Sequence, residues 1–383
     1  MKILMVAIPN HHFFQWVNQL EDSGFEVFWF DVTDGGPKSN KIPWVTQIKG
    51  WKLKYNFIFR QRIKKQFPKL YNYIQKYNEN NVLSAFEKAY NNIQPDIVHA
   101  FEMQLSGLPV LPIMQKNKTP LIYSSWGSDL FYFKELGLTK TQVNTFFKRT
   151  NYLITDCKRD FKIAKNNGFK AKYLGVFPGN GGLKIDMSKI KKFNQRHTIL
   201  IKGYDDGVGK ASIVLKALEL VSKEILKKKT IVIYSADDSI KKLIEASKVL
   251  SSLNIIVHSR YKFIKNRDLL ALMGESCIHI ANSLSDGMPN ALLEAMAMGA
   301  FPIQSNPGKV TEEVITANKN GLLIENPLDA NALVMLIEKA IEDVTLRQEA
   351  QDFNVNFIKA HYNRSTLKPE IIKLYQNIKH TSV

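Results

Sequence analysis

Apolar residues along this chain come in short runs separated by stretches of helical spacing. In the first half the runs Lys2 to Ile8, Glu26 to Val32, Asp96 to Phe101, Pro120 to Trp126, Tyr152 to Thr155 and Tyr173 to Phe177 are rich in Val, Ile, Tyr and Phe, and they predict buried strands. The same pattern returns at 197–203, 230–236, 254–259, Cys277 to Ala281, Phe301 to Asn306 and 321–325. Strands alternating with helices imply parallel sheets covered on both faces. A chain of 383 residues exceeds what one core usually supports, so two such domains are expected, divided within a basic linker at 184–197. Ligands of these sheets gather at the carboxyl ends of strands, and the residues just after each strand carry the candidate chemistry.

The densest of these stretches is Ser283 to Ser305. A buried strand, Cys277 to Ala281, leads into a polar turn with Gly287; Pro289 then opens a helix that Gly299 closes. Backbone amides near Asn290 and Ala291 have no earlier carbonyl to bond, and with the positive helix end they suit an anion such as phosphate. Glu294 lies one turn beyond Asn290 on the same face. A carboxylate accepts hydrogen bonds only, so beside a phosphate it suits the hydroxyls of a ribose.

At these residues the chain resembles the family 4 glycosyltransferases, retaining enzymes of the GT-B fold. Their signature is two glutamates separated by seven residues; Asp286 and Glu294 have that spacing here, with aspartate in the first place. The resemblance implies an α/β protein with two doubly wound parallel-sheet, Rossmann-like domains facing a cleft. It also implies a terminal helix, Thr366 to His380, that crosses back, so that 1–190 with 362–383 binds the acceptor and 191–361 the donor. Gly287, Met288, Pro289, Asn290 and Ala291 are then the donor turn. The loop YDDGVGK after the strand at 197–203 supplies Gly203, Gly209 and the catalytic cation Lys210, which matches the second of two family cations; Asp286 is the other catalytic residue. Tyr204 stands where many relatives have arginine, and Lys202 is the candidate substitute. The loop is not a Walker motif: Gly203 lies six residues before Gly209 where five are needed, and Ala211 replaces the hydroxyl that would hold magnesium. Strand-end logic adds Tyr234 and His258 over the base.

In the first half His11 and His12 follow the first strand in a stretch that reads as a polar loop, with contact to the acceptor as the alternative. His99, Glu102, Trp126 and Asp129 end the strands that follow, and all four are candidates for the acceptor side or cleft. Trp126 stands where many relatives carry histidine, so no histidine contact to the donor sugar is carried over. The sequences CKRD at 157–160 and FPGNGG at 177–182 match a subgroup of the family, and Asn180 is placed in a glycine turn facing the cleft.

Charge changes the picture most. Lysine and arginine number 53 against 35 acids, a formal +18, so an anionic partner is expected. Eleven of these cations fall between Lys38 and Lys76, where no acid occurs from Asp34 to Glu79, and Trp44, Trp51, Tyr55, Phe57, Phe59, Phe67, Tyr71 and Tyr73 are interleaved. An anionic membrane surface accounts for both cations and aromatics, and nucleic acid is the other anion of that class. A nucleic-acid binder rests on net charge alone, without a recognisable module, and is set aside. Two cysteines are too few for a disulfide framework or zinc site, and no apolar run reaches the length of a membrane span, about 18 to 20 residues. The opening run reads as a strand rather than a signal peptide. The expected protein is a cytoplasmic enzyme, peripheral on the inner face of the membrane. It moves a sugar from a nucleotide diphosphate sugar to a glycan or lipid-linked acceptor in surface polysaccharide or glycoconjugate synthesis, with no cofactor and no metal. A nucleotide-sugar epimerase of the same architecture is the alternative.

Overall fold

The alternation of strand and helix is realised twice in the computed structural model, which describes residues 1–262 and 264–381. The first sheet contains β1 (Lys2–Ala7), β2 (Glu26–Asp31), β3 (Thr46–Ile48), β4 (Ile97–Phe101), β5 (Leu121–Ser124), β6 (Tyr152–Thr155) and β7 (Lys172–Val176). Its order is β3-β2-β1-β4-β5-β6-β7, parallel throughout. The second sheet contains β8 (Thr198–Lys202), β9 (Thr230–Ala236), β10 (Ile255–Ser259), β11 (Ser276–Ala281), β12 (Phe301–Ser305) and β13 (Leu322–Ile324), ordered β10-β9-β8-β11-β12-β13 and again parallel. Strands buried on both faces explain the unbroken apolar runs: β11 and β12 are buried at every residue. In each sheet the order reverses beside its first strand, between β1 and β4 and between β8 and β11. The loops that leave those strands therefore flank an open crevice.

The chain divides into two compact units, one of Met1–Asp156, Asp160–Gly181 and the residues from Lys368 onward, the other of Cys157–Arg159 and Gly182–Leu367. The expected boundaries at 190 and 362 are thus displaced. Leu183 is the reason: it is buried with Leu292, Leu293 and Met296, its amide donates to the Tyr362 carbonyl at 2.8 Å, and the Arg364 amide donates to its own carbonyl at 2.9 Å. One apolar side chain in a basic linker binds both crossings to the second unit.

Local structure adds three points. His11 and His12 do not lie in a loop: they open helix α1 (His11–Val17), because Asn10 caps it by accepting from the Phe13 amide at 2.9 Å. The run 211–226 forms two helices, Ala211–Leu220 and Lys223–Leu226; the backbone turns extended at Val221 and buries that side chain in the core. The acid-free stretch yields an unexpected edge strand, β3, and two helices, α2 (Arg60–Gln66) and α3 (Pro68–Asn78). The terminal helix Arg364–Thr381 carries Tyr375 into the first unit, where its hydroxyl accepts from Trp16 Nε1 at 2.9 Å. Among the described residues no helix is long and apolar enough to cross a membrane.

Candidate active site

In the second unit the crevice between β8 and β11 is built from two loops tied to each other. Gly209 pairs with Ser283 across an antiparallel bridge, the Leu284 amide donates to the Val208 carbonyl at 2.9 Å, and the Lys210 amide to the Asn282 carbonyl at 2.9 Å. A Cβ at Gly209 would stand 2.4 Å from the Tyr204 carbonyl oxygen, so only glycine allows the loop to fold this tightly. Lys210 follows directly as the residue preceding helix Ala211–Leu220. Pro289 occupies the capping position of helix Asn290–Ala297, one residue earlier than expected, and Gly299 ends it with φ +73°.

These loops enclose a cavity of about 190 Å³ lined by Lys202, Tyr204, Gly209, Ser283, Asp286 and Gln304, among others. Burial pushes the carboxyl groups of Asp286 and Glu294 above the usual carboxylate range. Asn266 Nδ2, which donates to Glu294 Oε1 at 2.9 Å, opposes that push, and so does the ammonium of Lys202. The same Lys202 is the largest opposing influence on Asp286, followed by the Gly287 amide and Arg159. One cation therefore addresses both acids. Its ammonium also stands 4.8 Å over the Tyr204 ring, whose centroid lies 4.3 Å from the guanidinium carbon of Arg260. The tyrosine at a position where arginine was expected is thus flanked by two cations from other places in the chain.

Gln304 and Asn282 were not anticipated. Gln304 is 1% exposed and its Oε1 has no hydrogen-bond partner among the described residues; Asn282, also buried, leaves its Oδ1 unpartnered. Buried polar atoms in this state are rare and costly, so two of them on one cavity mark where hydroxyl or amide donors belong. The sequence signal was available for Gln304, a polar residue that follows the apolar run Phe301, Pro302 and Ile303 in its strand. Arg260 follows β10 and was equally placed to be found by strand-end logic. Tyr234 does not line the cavity; its buried hydroxyl pairs with His279 Nε2 at 3.0 Å, and burial, then Glu294, Tyr204 and Asp286, raise its pKa well above normal. His258 lines a separate open groove with Asp238, Lys241 and Glu245, which removes it from this set.

In the first unit the candidates separate into two groups. His99 is fully buried, with Nδ1 2.7 Å from the Tyr375 hydroxyl and Nε2 2.8 Å from Ser124 Oγ, and burial lowers its pKa to about 3. It is a neutral clip for the terminal helix and not an acceptor contact. Glu102 and Asp129 are also spent internally: Glu102 caps the turn Met103–Gly107 through the amides of Gln104 and Leu105, and Asp129 accepts from the Met103 and Trp126 amides and the Tyr123 hydroxyl. Burial raises both carboxyl pKa values, with the charge of Asp129 adding to the push on Glu102 and that of Asp160 to the push on Asp129. Glu102 holds φ +70° to do so. The second group gathers around Trp126. Trp126 and His12 have ring centroids 6.1 Å apart, Gly179 packs against the indole, and the indole N–H has no acceptor among the described residues. Asn180 is buried in the turn beside Gly179.

Comparison with known proteins agrees with this geometry. A family model described as glycosyl transferases group 1 matches residues 185–357, and one described as glycosyl transferase 4-like matches residues 2–157. No curated protein sequence matches the chain. Among solved structures, the sucrose-phosphate synthase of Thermosynechococcus elongatus is 14% identical, with all of both chains covered and a TM-score of 0.74. HepE of Anabaena, in complex with UDP and glucose, is 12% identical over 98% of this chain and 100% of its own, TM-score 0.69. The lipopolysaccharide outer core galactosyltransferase WaaB is 14% identical over the whole of both chains, TM-score 0.67. Two parallel-sheet units, each with its crevice at a strand-order reversal, are the architecture of the GT-B class of glycosyltransferases. Within that class the chain belongs to the family 4 glycosyltransferases.

Proposed function

We propose that this glycosyltransferase takes its sugar from a nucleotide diphosphate sugar and passes it, with retained anomeric configuration, to a hydroxyl of a glycan or lipid-linked acceptor at an anionic membrane surface. The observation that carries this reading is the crevice between β8 and β11, where Lys202 and Asp286 line one cavity and Glu294 lies on the helix that follows. Glu294 has lone pairs left after its bond from Asn266, and these accept the two ribose hydroxyls. The diphosphate meets the amides at the start of helix Asn290–Ala297 together with Lys210 and Lys202. When the bond from the anomeric carbon to the phosphate oxygen breaks, negative charge grows on that oxygen, and the two ammonium groups and helix end stabilise it. The acceptor hydroxyl bonds to the same face of the carbon while the departing phosphate oxygen takes its proton, so no side-chain base is required. Asp286, Gln304 and Asn282 offer acceptors for the sugar's own hydroxyls. HepE in complex with UDP and glucose supports a donor of this type.

Calorimetric titration with UDP-, GDP-, ADP- and dTDP-sugars tests the reading. One of them is expected to bind, and Glu294→Ala is expected to weaken it by ~2 kcal/mol or more, the scale of lost charge-assisted hydrogen bonds. Unchanged affinity in the variant rules out the ribose assignment. Turnover is expected to survive excess chelator; abolition, with rescue by magnesium or manganese, overturns a reaction in which lysines and helix amides carry the charge.

A further inference from the structure

The acid-free stretch presents an apolar surface that no part of the described chain covers. In α3, Leu70, Tyr73 and Tyr77 fall at helical spacing on one face, and all three are exposed, while Tyr71, Gln75 and Asn78 face inward. The helix turns its apolar stripe outward and buries two amides, the reverse of a helix folded only against its own core. The segment before α2 is exposed as well: Ile58 is 81% exposed and Phe59 67%, as are Tyr55 and, between the two helices, Phe67. Phe59 holds φ +70° at the start of α2 without any side-chain cap, a costly conformation for a bulky residue, and its ring gains no burial in return.

The charge around this surface has one sign. Arg62, Lys64, Lys65, Lys69 and Lys76 are exposed. The nearest acids on either side are engaged elsewhere: Asp34 accepts from the Gly50 and Lys52 amides at 2.6 and 2.8 Å, and Glu79 pairs with Lys52 at 3.7 Å. Exposed aromatics and aliphatics ringed by uncompensated cations complement a layer with anionic headgroups over hydrocarbon. Nucleic acid would use the cations and rings but leaves Ile58 and Leu70 without a role.

We infer that the surface formed by Ile58, Phe59, α2 and α3 is a membrane anchor, in which Ile58, Phe59, Leu70, Tyr73 and Tyr77 enter the interface of an anionic bilayer and the five exposed cations engage its headgroups. The inference rests on the proposed function only in taking the acceptor to be membrane-borne; the surface stands on its own geometry.

Co-sedimentation with vesicles of phosphatidylcholine, with and without phosphatidylglycerol, tests it on the full chain. Binding to the anionic vesicles is expected at low salt and should fall about tenfold or more at high salt. The variant Arg62→Gln, Lys64→Gln, Lys65→Gln, Lys69→Gln, Lys76→Gln should lose a similar factor, and so should Ile58→Ser, Phe59→Ser, Leu70→Ser, Tyr73→Ser, Tyr77→Ser, with unchanged circular dichroism. Wild-type protein left in the supernatant at low salt overturns the anchor, as does binding by both variants equal to that of the wild type. Salt-sensitive binding of single-stranded nucleic acid without vesicle binding, or a dimer that the serine variant dissociates without vesicle binding, also overturns it. Donor calorimetry on the wild type keeps the two proposals apart: normal donor affinity without vesicle binding refutes the anchor alone.

Discussion

Two pairs of carboxyl groups follow strands in this protein, one pair in each unit, and their surroundings differ: Glu102 and Asp129 are buried, Asp286 and Glu294 half-buried. Glu102 and Asp129 are surrounded by donors of their own chain: amides of residues 103 to 105 and 126, and the Tyr123 hydroxyl. Asp286 and Glu294 have fewer internal donors, and the charge of Lys202 opposes the rise of both pKa values. Burial raises all four pKa values, so the shift does not tell the pairs apart. Unspent hydrogen-bonding capacity beside a cavity does. A saturated carboxylate fixes a turn, and one with open lone pairs and a facing cation is ready for a ligand.

The largest effect expected from this contrast lies with the cations. Lys202→Ala and Lys210→Ala should each cut turnover by about a hundredfold or more, because in the proposed reaction both act on charge that grows in the transition state. Near-normal turnover of the Lys202 variant would detach that residue from the reaction and leave Lys210 as the sole cation of the two. Glu102→Gln, by contrast, should leave donor affinity unchanged in calorimetry.

Gln304→Leu probes the unpartnered amide. It should lower turnover by roughly tenfold, the worth of one hydrogen bond to a substrate hydroxyl, while the melting temperature holds or rises, because the substitution removes a buried polar group that lacks a partner. A lower melting temperature with full activity would make Gln304 structural.

The smallest effect is a pH dependence in the first unit. A carboxyl group whose pKa is raised on folding favours the folded state while protonated and loses that contribution as pH climbs above the ordinary carboxylate range. Stability should therefore decline from mildly acidic to neutral pH, and Glu102→Gln should flatten the decline, as followed by thermal melts across that range. A slope identical to that of the wild type would assign the dependence to other groups.

Much of the architecture was readable from residue order. Period and composition located the strands of both sheets except β3, whose three residues sit at an edge and carry no apolar run. The Pro289 and Gly299 punctuation marked helix Asn290–Ala297 to within a residue, because proline's fixed φ and glycine's access to positive φ act locally whatever surrounds them. Local rules also left errors. His11 and His12 read as loop until Asn10 was seen to cap them into a helix.

Spacing along the chain brought Asp286 and Glu294 onto one helix-and-turn unit, so the pair was visible in the sequence itself. Which lysine faces that pair, how Arg260 and Lys202 come to flank Tyr204, and that Gln304 ends against a cavity were decided only when β8, β10, β11 and β12 were laid side by side. His99 shows the same limit: its place at a strand end suggested a ligand, and Tyr375, 276 residues away, consumed it. Periodicity and backbone chemistry are properties of neighbours in sequence. Desolvation and hydrogen-bond saturation depend on what packs across the sheet, and only the folded chain sets them.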